Sequence, residues 1–190
     1  MNHTIYTLPN MLTGYRFAVV PFLLFCLRPG VGQWVSLLGF FLFLTGALSD
    51  LADGYLARKY HSESVLGKLM DPLADKVLVT VALVMLIPMG RIPAWITFLI
   101  LSREMIVTGL RGLAATSGIV MAASRLGKLK SVFQLIALNI LIFPPDLLPI
   151  PFLHDLGTIV LYIALGLTLW SGMDYFLRFQ KVFLESAGSK

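Results

Sequence analysis

The chain has 190 residues, 57% of them apolar and 13% Asp, Glu, Lys or Arg. Soluble domains carry about 25% charged residues, so fifteen Lys/Arg and ten Asp/Glu are too few to coat a water-facing surface of this size. The mean hydropathy of +0.84 excludes disorder, and the single cysteine, Cys26, excludes a disulfide scaffold. The net charge of +5 then points to a membrane surface or an anionic substrate rather than to nucleic acid.

Apolar runs cover 17–27, 34–48, 77–87, 93–110, 132–143 and 156–176. Several are shorter than the ~20 residues needed to cross a ~30 Å hydrocarbon core. They reach that length only when polar stretches join them: 13–16 for the first run and 71–76 for the third. The pattern predicts an all-α integral membrane protein, a bundle of six transmembrane helices forming one domain over 1–190. The polar helix ends then gather inside the bundle, away from lipid. Arg28-Pro29-Gly30, Pro88-Met89-Gly90 and Pro144-Pro145 break the chain between helices 1 and 2, 3 and 4, and 5 and 6. The first apolar run is followed by Arg28-Pro29-Gly30 and not by a small-x-small cleavage site, so it reads as a retained helix with Cys26 as an apolar filler. Arg58, Lys59, Lys68, Arg111, Arg125, Lys128, Lys130, Arg178, Lys181 and Lys190 fall on one side of such a bundle, and only Arg28 and Arg91 on the other. The positive-inside rule then places both termini in the cytoplasm.

The densest chemistry lies in Asp50-Leu51-Ala52-Asp53-Gly54-Tyr55-Leu56-Ala57-Arg58 and in Gly67-Lys68-Leu69-Met70-Asp71-Pro72-Leu73-Ala74-Asp75-Lys76. On a helix, Asp50, Asp53, Gly54 and Ala57 share one face by their i, i+3, i+4, i+7 spacing, and Gly67, Asp71 and Asp75 share another. Pro72 fits best in the first turn of a helix, which would make Asp71 an N-cap. Any one aspartate is explained by capping or by pairing with Arg58, Lys68 or Lys76. Four carboxylates at the facing ends of consecutive helices repel one another unless a cation neutralises them. An all-oxygen set suits Mg²⁺, Mn²⁺ or Ca²⁺ rather than zinc, copper or iron, and His3, His61 and His154 are scattered. Gly54, Ala57 and Gly67 either allow close helix packing or, with Arg58, admit a large phosphorylated ligand beside the metals.

Every fixed position from Asp50 to Asp75 matches the pattern D-x2-D-G-x2-A-R-x8-G-x3-D-x3-D, and the chain therefore resembles the CDP-alcohol phosphatidyltransferase family. The resemblance covers essentially the whole chain and implies a six-helix membrane core, Mg²⁺ or Mn²⁺ as cofactor, and a homodimer. It implies metal binding by Asp50, Asp53, Asp71 and Asp75, with Asp53, Gly54, Ala57, Arg58 and Gly67 around the nucleotide of CDP-diacylglycerol; Thr13, at the cytoplasmic end of helix 1, is placed to line the nucleotide side. It also gives Asp75 the role of base, taking the proton from an alcohol hydroxyl that attacks the lipid-side phosphorus and expels CMP. The residue types suit phosphoryl transfer, which needs charge on bridging oxygens neutralised and a base in position.

A second polar set is cationic. Arg103, within Ser102-Arg103-Glu104, and Arg111 are eight residues apart on the fourth helix, while Lys128 and Lys130, with Gln134, open the fifth. Arg103 with Glu104 could form a structural pair, and the lysines could be interfacial anchors. If they face the substrate, they make a pocket for a dianionic phosphate. That favours a phosphorylated acceptor, and three segments resemble the bacterial branch of the family that uses sn-glycerol 3-phosphate: Leu8–Thr13 with Arg16 and Pro21, Ser102–Arg111, and Gly127–Lys130 with Gln134. Ser131 departs from that branch, standing where threonine is expected. The expected setting is the bacterial cytoplasmic membrane, multi-pass, with the site on the cytoplasmic side. Competing readings are an acceptor of inositol phosphate or phosphatidylglycerol, and a divalent-cation transporter. The last is weakened because 37–44 and 78–87 continue no charged path across the bilayer.

Overall fold

In a computed structural model, the backbone is described at 8–60, 65–116, 125–147 and 150–187, and the side chains at 11–49, 70, 73–116, 126–147 and 150–181. The described residues are helical, without a strand: α1 Leu8–Cys26, α2 Gln33–Tyr60, α3 Val65–Leu86, α4 Ala94–Thr116, α5 Arg125–Ile142 and α6 Leu153–Ala187. The breaks fall where the Pro-Gly signals place them, and Gly30 and Gly90 close two of the turns with φ of 80° and 70°, a region a β-carbon disfavours.

The polar stretches that lengthen the short apolar runs are helical, with 13–16 inside α1 and 71–76 inside α3. This corrects the alternative that Asp71 caps a helix. α3 begins at Val65 and continues through Pro72, as α1 continues through Pro21. Proline lacks an N–H, so each leaves one carbonyl a turn earlier without its helical donor, a break that helices in apolar surroundings tolerate.

The chain divides into two compact units, Met1–Ile92 with Leu138–His154, and Pro93–Ala137 with Asp155–Lys190. In the first, α1 packs on both α2 and α3. Val19, Leu23 and Leu27, spaced by four, lie in a core with Phe43 of α2 and Leu78, Ala82 and Leu86 of α3. Two glycines one heptad apart on α2 permit the approach. A β-carbon at Gly39 would lie 2.9 Å from Cys26 Cβ, and one at Gly46 would lie 3.0 Å from Leu78 Cδ2. Tyr15 and Thr45 join α1 to α2 at 2.7 Å. Thr45 gives its proton to the Phe41 carbonyl, so the Tyr15 hydroxyl donates to Thr45. At the other end of this unit, Arg91 Nη1 donates to the carbonyls of Leu141, Ile142 and Phe143 at 2.6, 3.0 and 3.4 Å. It thereby caps the C-terminal end of α5, where unpaired carbonyls carry the negative end of the helix dipole. Burial pulls the Arg91 guanidinium below its ordinary pKa, and the charge of Asp146 opposes that.

In the second unit, α4 and α6 run parallel, with Trp95 beside Tyr162, Arg103 beside Thr168 and Ser171, and Arg111 beside Tyr175. Among the described residues one helix, Leu153–Lys181, is long and apolar enough to cross a membrane by length and composition alone, at mean hydropathy 1.7; Met11–Cys26 and Gln33–Ser49 are shorter apolar stretches. α4 has the length but carries Arg103, Glu104 and Arg111 within its 23 residues. Large apolar side chains stand outward on several helices: Trp34, Phe98, Met105 and Trp170 are 69, 68, 76 and 71% exposed, a surface that suits lipid better than water.

The α1–α2 approach has a direct test. Gly39→Ala should destabilise the protein by about 1–3 kcal/mol, because Cys26 Cβ cannot move without its backbone. Gly166→Ala, where a β-carbon meets nothing within 4 Å, should be neutral or stabilising by up to ~1 kcal/mol. Unfolding in detergent measures both.

Candidate active site

Asp50, Asp53, Gly54, Ala57 and Arg58 lie on α2, which is helical without interruption past Tyr55, so the i, i+3, i+4, i+7 face forms as the spacing demands. Gly67, Asp71 and Asp75 lie on α3, two carboxylates one turn apart. The side chains of Asp50, Asp53, Gly54, Ala57, Arg58, Gly67 and Asp71 fall outside the described residues. Asp75 is half-buried and is not without a partner. Thr13 is buried on α1, and one turn on Arg16 is fully buried. No group of three or more His, Cys, Asp or Glu able to hold a metal occurs among the described residues, and three of the four aspartates lie outside that set. The donor chemistry fits a hard divalent cation: each helix contributes carboxylates at one-turn spacing, and oxygen is the only donor type among the four.

The cationic set lies in the second unit, and it is paired. Glu104 Oε1 accepts from Arg103 Nη1 at 2.9 Å and also from the Lys130 ammonium, joining α4 to α5. Lys130 is 5% exposed. The carboxylate explains how two cations can sit close together in apolar surroundings, since like charges there need an intervening anion. Arg103 has two further bonds to α6, from Nε to the Thr168 carbonyl at 3.2 Å and from Nη2 to Ser171 Oγ at 2.8 Å. Arg111, two turns beyond Arg103 on α4, lies over the Tyr175 ring with its guanidinium carbon 5.3 Å from the centroid, within cation–π range.

Of the four basic residues expected to bind phosphate, Arg103 and Lys130 are brought together and Arg111 shares a helix partner with Arg103. Lys128 is exposed and outside the cluster: two residues from Lys130, it points away from the helix face that carries the ammonium to Glu104. Arg103 and Glu104 form the structural pair.

A model of the CDP-alcohol phosphatidyltransferase family matches residues 6–170. The chain belongs to this family. Among curated members, it is 39% identical over 187 residues to the CDP-diacylglycerol–glycerol-3-phosphate 3-phosphatidyltransferase of Bacillus subtilis (strain 168), covering 91% of this chain and 95% of that one. It is 37% identical over 176 residues to the enzyme of the same name from Rickettsia felis, covering 93% and 97%. It is 39% identical over 173 residues to a probable phosphatidylglycerophosphate synthase of Mycobacterium tuberculosis (strain H37Rv), covering 90% and 80%. As a phosphatidyltransferase family member, the chain has its acidic signature on two uninterrupted helices and a paired cationic cluster on α4 and α5, with uncharged acceptors on α6.

The ammonium of Lys130 is bound to the half-buried Glu104 carboxylate, and that of Lys128 is exposed. Lys130→Met should therefore cost about 1–3 kcal/mol of stability by leaving Glu104 short of a partner. Lys128→Met should stay within about 0.5 kcal/mol. Thermal unfolding of the two variants side by side distinguishes them.

Proposed function

We infer that this chain transfers the phosphatidyl group of CDP-diacylglycerol to sn-glycerol 3-phosphate, giving phosphatidylglycerol phosphate and CMP in phospholipid synthesis. The observation that carries the choice of acceptor is the Arg103–Glu104–Lys130 cluster with Arg111 close along α4. Arginines at this depth bind a phosphomonoester well and have no use for a neutral alcohol. The relatives named for glycerol 3-phosphate support the same acceptor.

In this reading, Asp50, Asp53, Asp71 and Asp75 would hold Mg²⁺ or Mn²⁺, which when bound neutralises the pyrophosphate charge of the lipid nucleotide. Thr13, Gly54, Ala57, Arg58 and Gly67 surround the nucleotide portion, the small residues allowing its close approach to the helix backbones. Arg103, Arg111 and Lys130 bind the acceptor's phosphate and orient its free primary hydroxyl, while Lys128, exposed and turned from the cluster, is left out of the set. The Asp75 carboxylate takes the hydroxyl proton as the oxygen attacks the lipid-side phosphorus; the bond from that phosphorus to the CMP oxygen breaks, and CMP departs with the electron pair. The fold in this reading is a single domain of six membrane-spanning helices in the bacterial cytoplasmic membrane. Both termini and the site lie on the cytoplasmic side, and the outward apolar side chains face lipid. The two arginines that α4 carries within its apolar length are then substrate-binding groups, with Glu104 as counter-ion.

Purified protein given CDP-diacylglycerol, divalent metal and a panel of alcohols should release CMP with glycerol 3-phosphate and far less with inositol phosphate, phosphatidylglycerol or serine. Equal turnover with inositol phosphate overturns the acceptor assignment. In the same assay, Asp75→Asn should lower kcat by about 100- to 10,000-fold while retaining binding of the CDP-lipid; a wild-type rate removes Asp75 from the mechanism. For topology, a fluorescent protein fused to the C-terminus should be bright in cells and alkaline phosphatase fused there inactive; the reverse pattern refutes cytoplasmic termini.

A further inference from the structure

α6 contributes no charge to the site described above, yet one of its faces is built around the two arginines of α4. Thr168, Ser171, Gly172 and Tyr175 are spaced i, i+3, i+4, i+7 and therefore form one stripe. Thr168 and Ser171 are fully buried and Tyr175 is 4% exposed. Every member of the stripe touches Arg103 or Arg111, or permits the contact. The Thr168 carbonyl and the Ser171 hydroxyl accept from Arg103 Nε and Nη2. Ser171 directs its own proton to the Thr168 carbonyl at 3.1 Å, so its oxygen lone pairs are turned to the guanidinium. At Gly172 a β-carbon would lie 3.0 Å from Arg103 Cγ and 3.4 Å from Nε; the arginine stem lies flat on α6 because nothing projects there. Tyr175 supports the Arg111 guanidinium with its ring.

Two features of the stripe ask for a ligand. Arg103 has five N–H donors, and its bonds to Glu104, Thr168 and Ser171 use one on each nitrogen, which among the described residues leaves two for a bound anion. The Tyr175 hydroxyl is buried and makes no hydrogen bond, a state that folded proteins rarely leave uncompensated. Charge counts the same way. Arg103, Arg111 and Lys130 against Glu104 leave +2, the complement of a phosphomonoester near neutral pH.

We propose that this α6 stripe is the specificity-determining wall of the acceptor-phosphate site. Ser171 and Gly172 position Arg103, the Tyr175 ring positions Arg111, and the Tyr175 hydroxyl donates a hydrogen bond to the bound acceptor. Ser171 and Gly172 are positioning residues and Tyr175 is a binding residue. The inference rests on the reading that Arg103 binds the acceptor's phosphate, and Arg103→Gln tests that reading separately.

The experiment is steady-state kinetics of the full-length enzyme in detergent or nanodiscs, with glycerol 3-phosphate and CDP-diacylglycerol varied in turn. Loss of uniform binding raises KM and spares kcat. Ser171→Ala and Gly172→Ala should each raise KM for glycerol 3-phosphate about tenfold, the loss expected when a hydrogen bond to a charged group goes or is bent. The KM for CDP-diacylglycerol should stay unchanged, and Ser171→Thr should restore most of the loss. Tyr175→Phe keeps the ring and removes only the hydroxyl. It should raise the acceptor KM at least threefold while raising the thermal midpoint of the ligand-free protein, because an unpaired buried hydroxyl destabilises. If Arg103→Gln raises the acceptor KM but the Ser171 and Gly172 variants do not, the positioning role of α6 is overturned. If Tyr175→Phe leaves the acceptor KM unchanged, its hydroxyl is no ligand contact. If Arg103→Gln itself spares the acceptor KM, the assignment of Arg103 fails and the wall fails with it. Equal loss for both substrates in the Ser171 and Gly172 variants marks a purely structural stripe and also refutes the proposal.

Discussion

A charged side chain on an apolar helix is stable only if something of opposite charge or strong hydrogen-bonding power reaches it, because desolvation otherwise costs several kcal/mol. In the second unit that requirement converges on Glu104. Its carboxylate takes both Arg103 and Lys130, and α6 adds two more acceptors for the guanidinium through Thr168 and Ser171. α4 thus meets α5 and α6 through polar contacts, set within a unit that also turns large apolar side chains such as Phe98, Met105 and Trp170 outward. The same requirement shapes the far end of the first unit. There Arg91 satisfies three carbonyls at the end of α5, and a group that would be costly to bury becomes a helix cap.

Rigid helices suit this chemistry better than loops. A carboxylate pair one turn apart on a helix is held at nearly fixed separation, which favours precise placement of ligands. α2 and α3 carry such pairs, and α3 carries its pair straight through Pro72. The first unit keeps these helices in place with small residues rather than with large interlocking ones. Gly39 and Gly46 let α2 lie against Cys26 of α1 and Leu78 of α3, and the Tyr15–Thr45 bond adds one directional contact from α1 where α2 leads towards the acidic segment.

Much of this was legible in the chain because the relevant signals are local. Pro and Gly at 28–30, 88–90 and 144–145 mark where helices stop, and the helices stop there. Short apolar runs needed polar neighbours to become full helices, and Thr13–Arg16 and Asp71–Lys76 are helical as that requires. Pro72 misled for an equally local reason: a preference for the first turn is a tendency, and the surrounding helix overrode it. The acidic signature was legible as spacing alone. The α6 stripe was not, since Thr168, Ser171, Gly172 and Tyr175 are ordinary members of an apolar helix until their neighbours are known. Their i, i+3, i+4, i+7 spacing was present but carried no charge to single it out.

The sequence by itself determined an all-helical, apolar protein with four of its ten acidic residues in one signature, and with that its family. Periodicity, breakers and fixed spacings act within a few residues and need no fold to be read. Only the tertiary structure decided how the cations are used. Spacing put Arg103 and Arg111 on one side of α4 and Lys128 and Lys130 near one another, but could not tell a bound ammonium from a solvated one. Lys130 reaches Glu104 while Lys128 stays exposed, and both arginines rest on α6. Those distinctions depend on contacts between residues 26 to 68 positions apart, a range over which local pattern carries no information.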